Sequence, residues 1–260
     1  MEYISLIKLV FMNASATLKT IENIGYIEFF NPPHNALPPD LLTTLCELVK
    51  TAGQNPQIQV IVLKSGGNRT FCAGASFHHM LAISNEEEGK TFFMCFANLI
   101  NALRKCPKII IGAIQGKAVG GAVGLAAATD ICFASEFALI KLSELSVGIG
   151  PFVIEPAIKR KIGTAAMTQL TLNSRTFFSA EWAQEKGLYA NVFESNELLA
   201  IEVDRFAKEL KSYNLEALST YKEICWQGTE HWDHLLEKRA TISGQLVLNS
   251  KAKSYLEKYS

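Results

Sequence analysis

The sequence carries no excess charge of either sign: 25 lysines and arginines stand against 25 aspartates and glutamates in 260 residues. That balance argues against a surface that holds nucleic acid through phosphate contacts and leaves only a local basic patch as a route to such binding. No apolar run approaches the roughly 18 residues of a membrane span. The six cysteines, Cys46, Cys72, Cys95, Cys106, Cys132 and Cys225, form no C-x-x-C pair and lie mostly in apolar surroundings. They read as buried, reduced thiols of a cytoplasmic protein. His231 and His234 share a helix face, but no further Cys/His cluster accompanies them, so a surface helix face is set beside a metal pair and no metal is expected. Low-complexity linkers and simple repeats are also lacking.

What is present suits one substantial core, with 48% hydrophobic residues. The opening stretch MEYISLIKLVFMNASA reads as a native strand rather than a leader, because Glu2 and Lys8 interrupt it and the following segments continue a sheet pattern. Glu22-Asn23-Ile24-Gly25 is a turn before the strand Tyr26–Phe30. Pro38, Pro39 and Asp40 open an amphipathic helix. Strands are expected at Val60–Lys64, Lys108–Ile114, Ile131–Ala134 and near Ala138–Lys141. A helix follows Ser84, with Ser84 and Glu87 as a capping box. The alternation implies crossover connections and a layered α/β core. After Pro151 helices dominate: Ile158–Leu172, Ala180–Lys186 led by Ser179, Asn196–Ser212, Leu215–Gln227 and Trp232–Leu248, with a short strand at Tyr189–Phe193. The chain divides into a core over 1–195 and a helical region over 196–260.

Three stretches carry candidate chemistry. Residues 117–128 read KAVGGAVGLAAA, with no polar side chain after Lys117. A helix starting near Gly121 leaves its first amides without internal partners, and its dipole favours negative charge in front of them. The backbone can thus hold an oxyanion, or the glycines simply let a small-residue helix pack tightly. A dinucleotide loop does not fit, since Gly120 and Gly121 are adjacent and Asp130 comes too early. Phe71-Cys-Ala-Gly-Ala-Ser76 follows another strand and glycine turn and offers the Ala75 amide. Glu144, in KLSELSVG, sits among apolar residues Leu142, Leu145 and Val147. Either it caps a helix or it is an acid/base with a raised pKa.

The segments NPPHNAL (31–37), VIVLKSGGNRTFCAGASF (60–77), AIQGKAVGGAVGLAAATD (113–130), KLSELSVGIGP (141–151) and FSAEWAQEKGLYANVF (178–193) together resemble the crotonase, or enoyl-CoA hydratase/isomerase, superfamily over nearly the whole chain. The resemblance implies a spiral of ββα units, a C-terminal helical trimerisation region, and a homotrimer or hexamer. It implies an acyl-CoA thioester as ligand, with coenzyme A part of the substrate and no separate cofactor, and an enolate oxygen held by the Ala75 and Gly121 amides. The second of the family's two catalytic glutamates falls on Glu144. The first falls on Gly124, the aspartate of the A-G-A-D run is Ser76, and the loop after Pro151 is Phe152-Val-Ile-Glu155. One carboxylate suits a Δ3–Δ2 enoyl-CoA isomerase. The variant motifs are also similar to bacterial 3-methylglutaconyl-CoA hydratase-like enzymes and to polyketide dehydratases acting on hydroxymethylglutaryl groups. Lys117 and Lys141 could then pair with a substrate carboxylate, or be solvated loop-edge lysines. Glu155 is a reserve acid/base, and an acyl-CoA-binding member without chemistry is the third reading.

Overall fold

The computed structural model describes residues 14–259, so all but the last three residues of the strand expected over 1–16 lie outside the described residues. Strands β1 (Ser15–Ile21) and β2 (Ile24–Phe30) form an antiparallel hairpin. Its two turn residues, Glu22 and Asn23, both have positive φ, the turn geometry whose twist matches that of paired strands. Helix α1 (Pro39–Gln54) starts on Pro39 and Asp40 as the sequence indicates, and leads to β3 (Val60–Ser65), which lies parallel to β2.

From there the chain winds as a spiral. Each turn lays one strand in a large sheet and the next in a small one. The pairs are β3 then β4 (Thr70–Cys72), β5 (Ile110–Ile114) then β6 (Lys117–Val119), and β7 (Ile131–Ser135) then β8 (Ile140–Lys141). Helices α2 (Phe77–Ala82) and α3 (Glu86–Lys105) close the first turn, and α4 (Gly121–Ala128) closes the second. Helices α5 (Glu144–Val147), α6 (Glu155–Leu172) and α7 (Ala180–Glu185) close the third before β9 (Asn191–Phe193). The large sheet runs β1-β2-β3-β5-β7-β9 and the small one β4-β6-β8. Among the described strands every pairing but the hairpin is parallel, and a single antiparallel bridge joins Ile140 of β8 to Phe178. Parallel strands covered on both faces need apolar side chains at successive positions, and β5 is buried at all five. The repeating step matters for function: each β4, β6 or β8 strand ends in a loop on the same edge of the small sheet, where the three candidate stretches begin.

The C-terminal helices are α8 (Asn196–Leu210), α9 (Leu215–Cys225), α10 (Trp232–Leu246) and α11 (Ser250–Tyr259). They fold back on their own core. Leu199, Val203, Ala207 and Leu210 of α8 cover the sheet face formed by Val60, Val62, Ile111 and Phe133. Leu236, Ala240, Val247, Ala252 and Leu256 join the main core. On sequence alone the tail's Leu235, Leu236, Ile242, Leu246, Val247 and Leu248 would be poorly sheltered on a lone core, and the structure corrects this: Leu236 and Val247 are fully buried, Leu235, Leu246 and Leu248 pack against the core, and only Ile242 of the six stays exposed. Lys222 fastens α9 to the spiral. Its buried ammonium donates to the carbonyls of Leu103 (3.0 Å) and Lys108 (2.9 Å) and pairs with Asp130 at 2.8 Å. Asp130 also accepts from Trp226 Nε1 and the Ile110 N–H, each at 2.8 Å. A charge pair sunk in a core is tolerated when its remaining hydrogen-bonding capacity is used, as it is here.

Two helix ends differ from the sequence reading. The cap of α3 sits one residue later than expected. Asn85 accepts from the Glu88 N–H (3.0 Å), while Glu88 Oε2 reaches back to the Ser84 N–H and hydroxyl (2.8 and 2.9 Å). Helix α11 was not anticipated, because its sequence is lysine-rich and only Ala252 and Leu256 of it are buried. It packs on α2 and α5, the two short helices that follow candidate loops. Lys253 seals the arrangement by donating to the Leu81 carbonyl at 2.7 Å and to that of Ile83, the last carbonyls of α2. All six cysteines are free. Four are buried, and Cys95 and Cys225 are half-buried.

Candidate active site

The first candidate loop leaves β4 at Cys72 and turns on Gly74, whose φ of +88° favours glycine. Leu37 donates to the Gly74 carbonyl (2.8 Å) and accepts from the Ser76 N–H (3.2 Å), a parallel bridge that brackets Ala75. In such a bridge the bracketed residue's own N–H points to the opposite side. Ala75 lines a cavity together with Gly74.

The second loop leaves β6 at Val119. Gly120 adopts φ +57° and ψ −124°, closed to side-chain-bearing residues, and α4 begins at Gly121. As the first residue of a helix, Gly121 has no intrahelical acceptor for its N–H. The two loops meet at Gly74: a methyl built there would come within 2.6 Å of the Val119 carbonyl and 3.4 Å of the Gly121 nitrogen. Glycine at 74 is thus what lets the first loop lie directly against the second at Val119 and Gly121. Beneath them, Phe96 of α3 packs so closely on Gly121 that a Cβ would stand 2.4 Å from its ring.

The third loop delivers Glu144. The Gly120 N–H donates to the Lys141 carbonyl (2.8 Å), which ties the second loop to β8. Glu144 opens the one-turn helix α5, and Gly148, with φ +98°, ends it. The carboxylate lies against Gly120, where a Cβ would be 2.8 Å from Oε1. Oε2 is buried with no hydrogen-bond partner among the described residues. Burial pushes the Glu144 carboxyl up to about 7, opposed only in part by a hydrogen bond from its own backbone. Leu142 and Val147 supply the apolar surroundings the sequence indicates. Leu145 does not, being exposed on the far side of the short helix.

The remaining sequence candidates fall elsewhere. At Gly124 an ideal Cβ would lie 2.5 Å from both Cβ and Cγ2 of Ile154, so the place of a second carboxylate is filled by that isoleucine. Ser76 caps α2 and pairs with His79 Nδ1 at 2.8 Å, away from the cavity lining. Lys117 and Lys141 both reach over the Phe177 ring, at 5.3 and 4.4 Å from its centre, and neither lines the cavity. Burial, then the neighbouring Lys117 charge, lowers the Lys141 ammonium below its ordinary pKa. Glu155 also lies outside the lining. Its carboxylate is held by Arg239 and, at 3.6 Å, by Lys159. Arg239 also donates to the Phe152 carbonyl (3.0 Å), tying the loop after Pro151 to α10. Sequence reasoning missed Phe96 and Ser243, which come to the cavity from distant segments and belong to no local motif, and it gave Ile154 of the loop after Pro151 no role.

Ala75, Gly121 and the Glu144 carboxyl of raised pKa thus line one largely apolar cavity. Residues 19–254 match the family model described as enoyl-CoA hydratase/isomerase. The chain belongs to the enoyl-CoA hydratase/isomerase family. It is 28% identical over 227 residues to the peroxisomal Delta(3,5)-Delta(2,4)-dienoyl-CoA isomerase of Arabidopsis thaliana, covering 81% of this chain and 80% of that protein. With the bacillaene synthase dehydratase PksH of Bacillus subtilis strain 168 it shares 29% identity over 204 residues, covering 78% and 76%. The fold is that of the crystal structure of enoyl-CoA hydratase from Bacillus halodurans, with a TM-score of 0.86, 21% identity, and coverage of 94% and 99%. As in that family, the spiral of ββα units carries a C-terminal helical region, and the ligand class is an acyl-CoA thioester. No helix among the described residues is long and apolar enough to cross a membrane.

Proposed function

We propose that this family member is an enoyl-thioester isomerase that shifts a double bond by moving one proton. The observation that carries this reading is the filled space at Gly124. Glu144 is the one titratable side chain of the cavity wall among the described residues, and Ile154 occupies the place of a partner. The substrate's thioester oxygen sits between the Ala75 and Gly121 amides. Glu144, as carboxylate, takes a proton from C2 of a 3-enoyl thioester. The electron pair left on C2 spreads into the thioester and forms an enolate whose oxygen both amides stabilise. The same carboxyl then returns its proton to C4, the double bond settles between C2 and C3, and nothing is gained or lost. A carboxyl pKa of about 7 suits a group that must both take and give a proton near neutrality. Enolisation by these groups is complete with coenzyme A as part of the substrate and calls for no further cofactor.

Hydration or dehydration of a branched, carboxylated acyl group is the second reading, favoured by the likeness to the dehydratase PksH. The cavity gives it less support. Its wall holds no cationic side chain among the described residues, because Lys117 and Lys141 lie outside around Phe177. Purified protein incubated with straight and branched 2- and 3-enoyl-CoA esters in ¹⁸O-water, followed by mass spectrometry, decides between the two. The expected result is conversion of 3-enoyl to 2-enoyl ester at unchanged mass. A mass gain of one labelled water would overturn the isomerase in favour of the hydratase.

We further propose a homotrimer. Most apolar residues of α10 and α11 are sheltered within the chain, but Ile201, Tyr221 and Ile224 on α8 and α9 remain 60%, 62% and 55% exposed. Burying such side chains against a neighbour contributes roughly 1.5–3 kcal/mol each. Sedimentation at micromolar concentration is expected to show three chains per particle, and a stable monomer would rule the assembly out.

A further inference from the structure

The cavity wall contains a polar atom that the proton shuttle does not use. Ser243, on α10, lines the same cavity as Glu144, is 1% exposed, and its hydroxyl has no hydrogen-bond partner among the described residues. A buried hydroxyl without a partner costs on the order of 1–3 kcal/mol, so an orphan facing a ligand cavity calls for a partner supplied by the ligand. Among the described residues, the only other polar side chains in the lining are Glu144 and its neighbour Ser143, and both come from the third loop. Ser243 comes from an element about a hundred positions later and stands among aromatic and aliphatic side chains, including Phe93, Phe152 and Ile154.

Its position is fixed by an unusually close helix crossing. Gly89 of α3 and Gly244 of α10 meet so tightly that a Cβ on Gly89 would lie 2.5 Å from the Gly244 carbonyl oxygen, and one on Gly244 2.5 Å from the Lys90 nitrogen. The residue next to Gly244 therefore has little freedom to withdraw. The same helix α3 gives a scale: Phe96 abuts Gly121 at the amide pair, while Gly89 abuts Gly244. Seven helical steps separate the two, about 10 Å at 1.5 Å per residue. Ser243 thus lies several carbons along an acyl chain from a thioester oxygen held at Gly121.

We propose that Ser243 is a specificity-determining residue whose hydroxyl donates to an oxygen substituent, hydroxyl or oxo, on the distal acyl chain of the substrate. The assignment rests on the acyl-thioester reading of the cavity. It implies that a plain hydrocarbon tail leaves the Ser243 hydroxyl unpaired and is held less well than an oxygenated one, the asymmetry that lets a hydrogen-bonding site reject an analogue lacking the group.

The test is binding of octanoyl-CoA and a series of oxo-octanoyl-CoA esters, with the oxo group walked from C5 to C7, to the wild type and to Ser243→Ala. These saturated esters cannot isomerise, so titration calorimetry reads affinity alone. In the wild type, at least one oxo ester is expected to bind about tenfold more tightly than octanoyl-CoA, the weight of one neutral hydrogen bond. Ser243→Ala is expected to lose that preference and to hold octanoyl-CoA at least as well as the wild type. Equal binding of every ester by the wild type, or a preference that survives in Ser243→Ala, overturns the assignment while leaving the acyl-thioester site standing. Failure of any ester to bind either form would sink that site and the Ser243 assignment together.

Discussion

Glu144→Gln should reduce turnover of an enoyl-CoA substrate by at least 10³-fold while leaving acyl-CoA affinity within about threefold. The substitution keeps the shape that lies against Gly120 and removes the one titratable side chain of the cavity wall among the described residues. Loss of a positioned acid/base typically costs 10²–10⁴-fold, and here no second carboxylate stands in reserve, since Ile154 fills the space at Gly124. Near-normal turnover in Glu144→Gln, together with its loss in Glu155→Gln, would move the acid/base to the loop after Pro151. The pairing of Glu155 with Arg239 makes that outcome unexpected. The same variant should also be more stable than the wild type in alkaline solution. Burial raises the folded carboxyl from 4.5 to about 7. The wild type is therefore least penalised below pH 4.5, where the group is protonated whether folded or not. As pH rises from there to 7, the unfolded chain ionises first and gains, to a limit of about 3 kcal/mol. Glutamine carries no such penalty, so the melting-temperature advantage of the variant should widen through that interval and level off above pH 7.

The second large effect is expected at Gly121. Gly121→Pro removes one oxyanion donor, worth roughly 3–4 kcal/mol of transition-state stabilisation. It also places a Cβ against Phe96. Gly121→Ala introduces the same Cβ and keeps the N–H, so the two variants share the packing defect and differ in the donor. Proline is compatible with the first position of a helix, and circular dichroism should show both folded. The expectation is a kcat/KM for Gly121→Pro lower than that of Gly121→Ala by 10²- to 10³-fold. Equal values would show that the Gly121 amide does not contact the reacting oxygen.

How much of this was legible in the sequence depended on how local each feature is. Ala75, Gly121 and Glu144 each follow a short strand in one contiguous segment, and the structure brings all three to the cavity. The missing side chain at Gly124 was plain, but its replacement by Ile154 depends on a contact across the fold. Lys117 and Lys141 lie beside the right motifs and still miss the cavity, because neighbours along a strand alternate between its faces. Leu145 fails in the same way on a one-turn helix. Ser243 is a single serine in a helix, and only the crossing at Gly89 and Gly244 gives it a direction. The capping of α3 was misplaced by one residue because Ser84 and Asn85 can both cap, and the asparagine took the position. Helix α11 left almost no apolar signal, since much of its contribution is the Lys253 ammonium on α2 carbonyls.

That ammonium has a consequence for how the protein comes to be active. Lys253 and the Leu81 carbonyl it holds are 172 positions apart, and Ser243 is about a hundred positions or more from the three loops it faces. The spiral can close through its own neighbouring strands, but these contacts wait for the last helices to dock, and pairings of such long sequence separation form slowly. A chain emerging from the ribosome is therefore expected to pair its sheets before the last helices roof the hollow lined by Phe77, Phe93 and Phe96. Competence to bind a thioester should appear later than secondary structure during refolding, and that interval is when the chain is most exposed to aggregation and most in need of a chaperone.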